Sequence, residues 1–174
     1  MVDNILKGKV LIQFGVINKN DRIYLESEFT KDRIWHTDGS GNTTKGSLIE
    51  RLNGIKYFRM KGKEKVEKQK DRPFLYGEIT HPDVFEVNLG DVSHLCKNFK
   101  ITNNCLIADV EIVDTKKGKM LLEMIRVFGE DAIVFRPRGT GILNEQKEVT
   151  QYDVFAFDAI NSKDDAFELI KVKI

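Results

Sequence analysis

Cysteine, histidine and proline are all scarce in this chain, at 2, 3 and 3 among 174 residues. The two thiols, Cys96 and Cys105, are too few for a disulfide framework and do not follow metal-ligand spacing, so the sequence points to a reducing compartment and to no metal site. A charge surplus is also missing: 28 Lys and Arg stand against 27 Asp and Glu, a formal net charge of +1. That balance argues against duplex nucleic acid as a partner, because such binding needs many phosphate-neutralising cations over one face. No segment approaches the roughly 20 apolar residues of a membrane helix. The stretch from Met1 to Lys7 has no apolar run of signal-peptide length either, which predicts a soluble chain made inside a cell, with no membrane partner. With 41% hydrophobic residues, the length suits one domain spanning 1–174. Folding a chain of this size removes roughly two-thirds of its unfolded surface from water, so stability requires no cofactor, metal or disulfide.

The residues present are mostly those of strands. Lys9 to Val16 is rich in branched and aromatic side chains and breaks at Asn18-Lys19-Asn20-Asp21, a turn cluster. From Leu106 onward, Ala108, Val110 and Ile112 alternate with Asp109, Glu111 and Val113, the pattern of a half-buried strand. Leu121, Met124, Ile125 and Phe128 then recur at helical spacing, with Gly129 placed to end the helix in a left-handed turn. Ala132 to Phe135, Val149 to Ile160 and Ala166 to Val172 read as further strand-prone segments, the last of which could begin as a helix after Asp164-Asp165. The fold class is therefore α+β, mostly β with a few short helices. His36 to Gly46 has three glycines and no apolar anchor and predicts a mobile loop. Lys56 to Arg72 holds eight cations and three anions, which predicts a solvated helix or loop, or a contact for an acidic partner. Together they make a mobile and basic insertion at about 36–72.

Imidazole chemistry is confined to His36, His81 and His94. His36 sits beside the glycine-rich stretch with no carboxylate at helical spacing. His81 precedes Pro82, which restricts it to extended geometry and suits a positioned side chain. Ser93-His94 is a hydroxyl next to a base, but neighbours in a strand point to opposite faces.

Five motifs then fall in a familiar order: Asn18-Lys19-Asn20-Asp21-Arg22-Ile23-Tyr24; Gly77-Glu78-Ile79-Thr80-His81-Pro82; Val87-Asn88-Leu89 with Val92-Ser93-His94; Asp114-Thr115-Lys116-Lys117-Gly118-Lys119; and Arg138-Gly139-Thr140-Gly141. With Phe157-Asp158-Ala159-Ile160, which is similar to an aspartate-containing strand of the same family, they span about residues 9–167. The chain resembles the prohead (head maturation) serine proteases of tailed bacteriophages. The resemblance implies a mostly antiparallel β-barrel flanked by short helices, related to herpesvirus assembly proteases, with a serine nucleophile and a histidine base.

His81 matches the family histidine of Gly-Glu-x-x-His-Pro. The serine pair that precedes Arg-Gly-x-Gly in the family falls on Arg136 and Pro137. Acyl transfer by this route needs a hydroxyl for the histidine to deprotonate, and neither residue has one. Guanidinium stays protonated and disfavours a neighbouring imidazolium. Losing a triad nucleophile costs about a million-fold in turnover. Gly77, Gly139 and Gly141 also read as fold residues that permit unusual backbone.

These readings predict no catalytic residue, with His81 and His94 vestigial, and a binding role for Arg136, Arg138, Gly139 and Gly141. The expected protein is a proteolytically inactive component of a phage head, resident in the virion and in host cytoplasm during assembly. Its expected partners are the major capsid protein, other virion proteins or further copies of itself, bound where a cleft once took an extended peptide as an added strand. The alternative is an active maturation endopeptidase in which Thr140, Ser93 or Thr80 supplies the hydroxyl and His94 or Asp158 orients His81.

Overall fold

Alternating apolar and polar side chains carry most of the chain into strands, as a computed structural model describes over residues 4–18, 20–59, 66–70, 72–79, 84, 86–161 and 171–173. Strand β1 (Ile5–Gln13) is followed by the short β2 (Ile23–Tyr24), one helical turn α1 (Ser27–Thr30), β3 (Arg33–Thr37) and β4 (Thr43–Gly46). Then come α2 (Leu48–Leu52), β5 (Ile55–Arg59), β6 (Val66–Lys70) and β7 (Phe74–Glu78). The second half runs β8 (Val92–Thr102), β9 (Cys105–Ile112), α3 (Lys116–Phe128), β10 (Ile133–Leu143), β11 (Glu148–Asn161) and β12 (Lys171–Lys173). Mostly strand with few helices, the architecture has the α+β character expected.

The strands form three four-stranded sheets, ordered β1-β9-β8-β7, β12-β10-β11-β2 and β3-β4-β5-β6. Pairing is antiparallel except where β12 joins β10 and β2 joins β11. Among the described residues the ladders stay separate: the first two sheets meet at one parallel bridge, Ile79↔Ala159, and β1 and β10 wall a shared groove. The core between them is aromatic at one end, where Phe14 packs on Phe29 at 5.1 Å between ring centroids and Phe29 on Tyr152 at 5.7 Å.

Strand β9 keeps the alternation read from its sequence, with Leu106, Ala108, Val110 and Ile112 buried. Strand β1 starts earlier than Lys9 because pairing with β9 takes in Ile5 and Leu6, and a bulge around Gly8 (φ 60°) breaks the alternation that would have marked them. Helix α3 begins at Lys116, capped by Thr115, whose Oγ1 accepts from Gly118 N at 2.9 Å and donates to Val92 O at 2.6 Å. Leu121 and Ile125 face the core, while Phe128 is half-exposed. Gly129 ends the helix with φ 87° and ψ 156°, a positive φ as expected but with an extended ψ that only glycine adopts readily.

Two expectations are corrected. His36 to Gly46 forms the turn and second strand of the β3–β4 hairpin, where the sequence suggested an irregular loop. Asp38 Oδ1 accepts from Ser40 N at 2.9 Å and Asn42 N at 3.0 Å, and Gly41 has φ 81°, so turn chemistry and a backbone ladder replace the missing apolar anchor. Most of Lys56 to Arg72 is likewise strand, β5 pairing antiparallel with β6 from Ile55↔Lys70 to Arg59↔Val66. Of the strand expected at Ala166 to Val172, only the part within β12 falls among the described residues.

The thiols test this arrangement. Cys96 is fully buried, and burial, helped by the Asp158 carboxylate, pushes its pKa well up; Cys105 is only half-buried. A thiol-reactive chromophore should label Cys105 in the native protein and Cys96 only after unfolding, and two equivalents reacting together without denaturant would contradict the core described.

Candidate functional site

The Ser93-His94 pair and the Gly77-Glu78 and Arg138-Gly139 motifs meet where β7 and β8 of the first sheet approach β10 and β11 of the second. His94 is fully buried, and its Nε2 lies 2.7 Å from Phe157 O on β11. A carbonyl oxygen only accepts, so Nε2 carries the hydrogen, and Nδ1 accepts from Ser93 Oγ at 2.7 Å. The ring meets Phe135 edge-on, with centroids 5.6 Å apart. Burial lowers the imidazole pKa to about 4, against the opposing pull of the Phe157 carbonyl and the Asp158 carboxylate. His94 is therefore neutral near pH 7 and bonded at both nitrogens. It links two sheets, and neither ring nitrogen remains to orient a second histidine. Ser93, also fully buried, directs its hydroxyl to His94.

Gly77 makes this link possible through size. A Cβ there would stand 2.0 Å from Phe157 O and 2.2 Å from His94 Nε2. Gly139 has a comparable neighbour, since a Cβ would stand 2.0 Å from Asp153 O. Neither glycine has a positive φ, so close approach, rather than the unusual backbone expected from sequence, explains both.

Beside the histidine, Arg138 is fully buried and uses all five of its N–H donors. Nε donates to Asp158 Oδ2 at 3.1 Å, and Nη2 to Asp158 Oδ1 at 2.7 Å and Glu78 Oε2 at 2.9 Å. Nη1 reaches Val84 O at 3.2 Å and Glu86 O at 2.8 Å. Burial works against the guanidinium charge, but the bonds to Asp158 and then Glu78 outweigh it and raise the pKa. Glu78 N also donates to Asp158 Oδ1 at 3.1 Å. Arg138 thus has no donor left for a partner, and Asp158, expected as an orienting residue, holds Arg138. The clamp on Val84 and Glu86 pins the chain just after the His81-Pro82 step. His81 and Thr80 themselves lie outside the described residues.

Arg136 and Pro137 line the wall of a groove of about 260 Å³ with Gln13, Ile17 and Tyr24. Arg136 continues into an adjoining groove of about 460 Å³ between β1 and β10, lined by Lys9, Val10 and Phe135 among others. Among the described residues β12 meets β10 from Arg138 onward and Pro137 pairs with Phe157 of β11. Thr140 lies opposite Asp153 in register, whereas Arg136 lies opposite Asp158. Gly141 packs against Val149, and His36 is exposed on β3. No group of three His, Cys, Asp or Glu suited to a metal occurs among the described residues.

Sequence reasoning missed the Glu78–Arg138–Asp158 cluster. Its signal was a lone charge inside an apolar run, as in Phe155-Ala156-Phe157-Asp158-Ala159-Ile160, which requires a buried partner.

Two measurements follow. The folded state declines a proton at His94 that the unfolded chain accepts below about pH 6.5. Stability is therefore full above that value and falls as pH drops toward 4, by about 3 kcal/mol. His94→Gln removes this dependence, so the wild-type minus variant unfolding free energy in urea should shrink by that amount between about pH 7 and pH 4; a constant difference would contradict a buried neutral imidazole. Arg138→Met strands two buried carboxylates and should cost about 3–5 kcal/mol in the same assay, with Glu78→Gln costing less because a hydrogen bond survives.

No protein-family model and no curated protein matches the chain. Among solved structures, its fold matches the capsid assembly protease gp21 of bacteriophage T4 with a TM-score of 0.54 at 16% identity, over 88% of this chain and 79% of that one. At that identity the likeness is one of fold: the chain has a phage prohead protease-like fold, in accord with the resemblance of its motifs.

Proposed function

We propose that this protein is a proteolytically inactive, prohead-protease-like component of a bacteriophage head that binds capsid or neighbouring virion proteins, including copies of itself. The observation that carries this reading is the composition of the two adjoining grooves: Arg136 is shared by both, Pro137 lines one, and no serine, threonine or cysteine lines either among the described residues. The hydroxyl of Ser93 is buried on His94, and Thr140 lies opposite Asp153, away from the strand position of Arg136. With no aliphatic hydroxyl lining either groove among the described residues, acyl transfer on this reading has no nucleophile there.

Binding requires less. β1 and β10 wall the larger groove, and among the described residues β1 has β9 as its ladder partner. An extended segment of a virion protein adds here by main-chain hydrogen bonds, with Val10 and Ile17, both exposed, giving an apolar rim. The similarity in fold to a capsid assembly protease supports a place in the phage head.

Incubation with intact capsid and scaffold proteins should yield no trimmed product by mass spectrometry and no adduct with a fluorophosphonate. In the same mixture the protein should co-sediment with its target, and Ile17→Asp should weaken that association about tenfold. Site-specific trimming by the purified chain would overturn the assignment.

A further inference from the structure

Away from the β1–β10 grooves, a pocket of about 320 Å³ opens between α2, the start of β7 and β11, lined by Leu48, Arg51, Arg72, Phe74, Asp153 and Val154 among others. Its two arginines are held by aromatic rings. The Arg51 guanidinium carbon lies 4.0 Å from the centroid of Trp35, whose other guanidinium neighbour, Arg33, is at 3.5 Å. That of Arg72 lies 5.3 Å from Phe74 and 5.1 Å from Tyr76. A ring against the face of a guanidinium orients it and leaves the edge donors available. Neither Arg51 nor Arg72 makes an ion pair among the described residues, and Arg33 leaves a buried Nη1 without a hydrogen-bond partner.

Two oriented cations in one apolar-walled pocket form a receptor for an oxyanion. The charge of that anion is set by Asp153. With Arg51 and Arg72 contributing two positive charges and Asp153 one negative, the lining keeps a surplus of one, which matches a monoanion better than a phosphate dianion. Phe74 and Leu75, both partly exposed, supply contact for a short methylene stem. Arg51 is kept in place from below, since α2 is fixed by a capping box in which Glu50 N donates to Ser47 Oγ at 3.2 Å and Ser47 N to Glu50 Oε1 at 3.1 Å. We infer that the Arg51–Arg72 pocket is a binding site for the carboxylate side chain of an acidic peptide segment. The site stands apart from the grooves and does not depend on whether they bind or cleave a chain.

The probes are a capped glutamate (N-acetyl, N-methylamide), its glutamine counterpart and inorganic phosphate. The readouts are the side-chain Nε–H signals of Arg51 and Arg72 by nuclear magnetic resonance and the fluorescence of Trp35, the one tryptophan in the chain. Capped glutamate should move both arginine signals saturably, the glutamine analogue should not, and phosphate should bind more weakly than glutamate. Arg51→Gln and Arg72→Gln should each weaken glutamate binding about tenfold. Arg72 is exposed, so its variant remains informative if loss of Arg51 disturbs the Trp35 packing. Asp153→Asn should reverse the preference toward phosphate. Equal responses to glutamate and glutamine, tighter binding of phosphate by the unmodified protein, or unchanged glutamate affinity in the Arg72 variant would each overturn the inference.

Discussion

The seam between the two main sheets depends on the buried guanidinium of Arg138. Taking a guanidinium and its carboxylate partners out of water costs several kcal/mol per ion, and attraction within the core offsets this only when the remaining hydrogen-bonding groups are also satisfied. Here the five N–H donors find Asp158, Glu78 and the carbonyls of Val84 and Glu86. The cluster specifies more than it stabilises. A one-residue slip of β10 against β11 would turn Arg138 away from Asp158 and bury unpaired charge on both strands, so the ion cluster fixes their register as well as the position of β7.

His94 joins the same two sheets without a net charge. Because Nε2–H meets a backbone carbonyl and Nδ1 meets a hydroxyl, the neutral ring is fully satisfied, and the environment that suits it is one in which a working general base would be useless. Gly77 connects the two links: its missing side chain admits the imidazole, while the next residue, Glu78, binds Arg138. The Gly-Glu and Arg-Gly motifs that carry the family resemblance are thus two halves of one packing device. Their joint presence reports the fold, which is the level at which the phage capsid assembly protease is similar.

What was legible in the sequence follows from which interactions are local. The period-two alternation of β9 and the helical spacing of Leu121 and Ile125 are set by burial of one face, and both elements stand where the pattern puts them. The β3–β4 hairpin was opaque because hydrogen bonds of Asp38, rather than apolar anchors, hold its turn. β5 and β6 were hidden by charge: a basic stretch reads as solvated whether its backbone is helical, irregular or laddered. At the site, the scarcity of histidine confined the search to three positions, of which His94 is buried at the seam and His36 is exposed. The roles of His94, Asp158 and Arg138 were not legible, since each depends on a partner more than fifteen residues away, as the separation of 20 between Arg138 and Asp158 illustrates.

The same geometry separates the residues that join the sheets from those that line the grooves. Arg136 and Pro137 take no part in the five bonds of Arg138. A change at Gly77, Glu78, Arg138 or Asp158 disturbs the seam itself, whereas Arg136 and Pro137 stand at the groove wall. The demands of folding thus fall on the seam residues rather than on the groove wall.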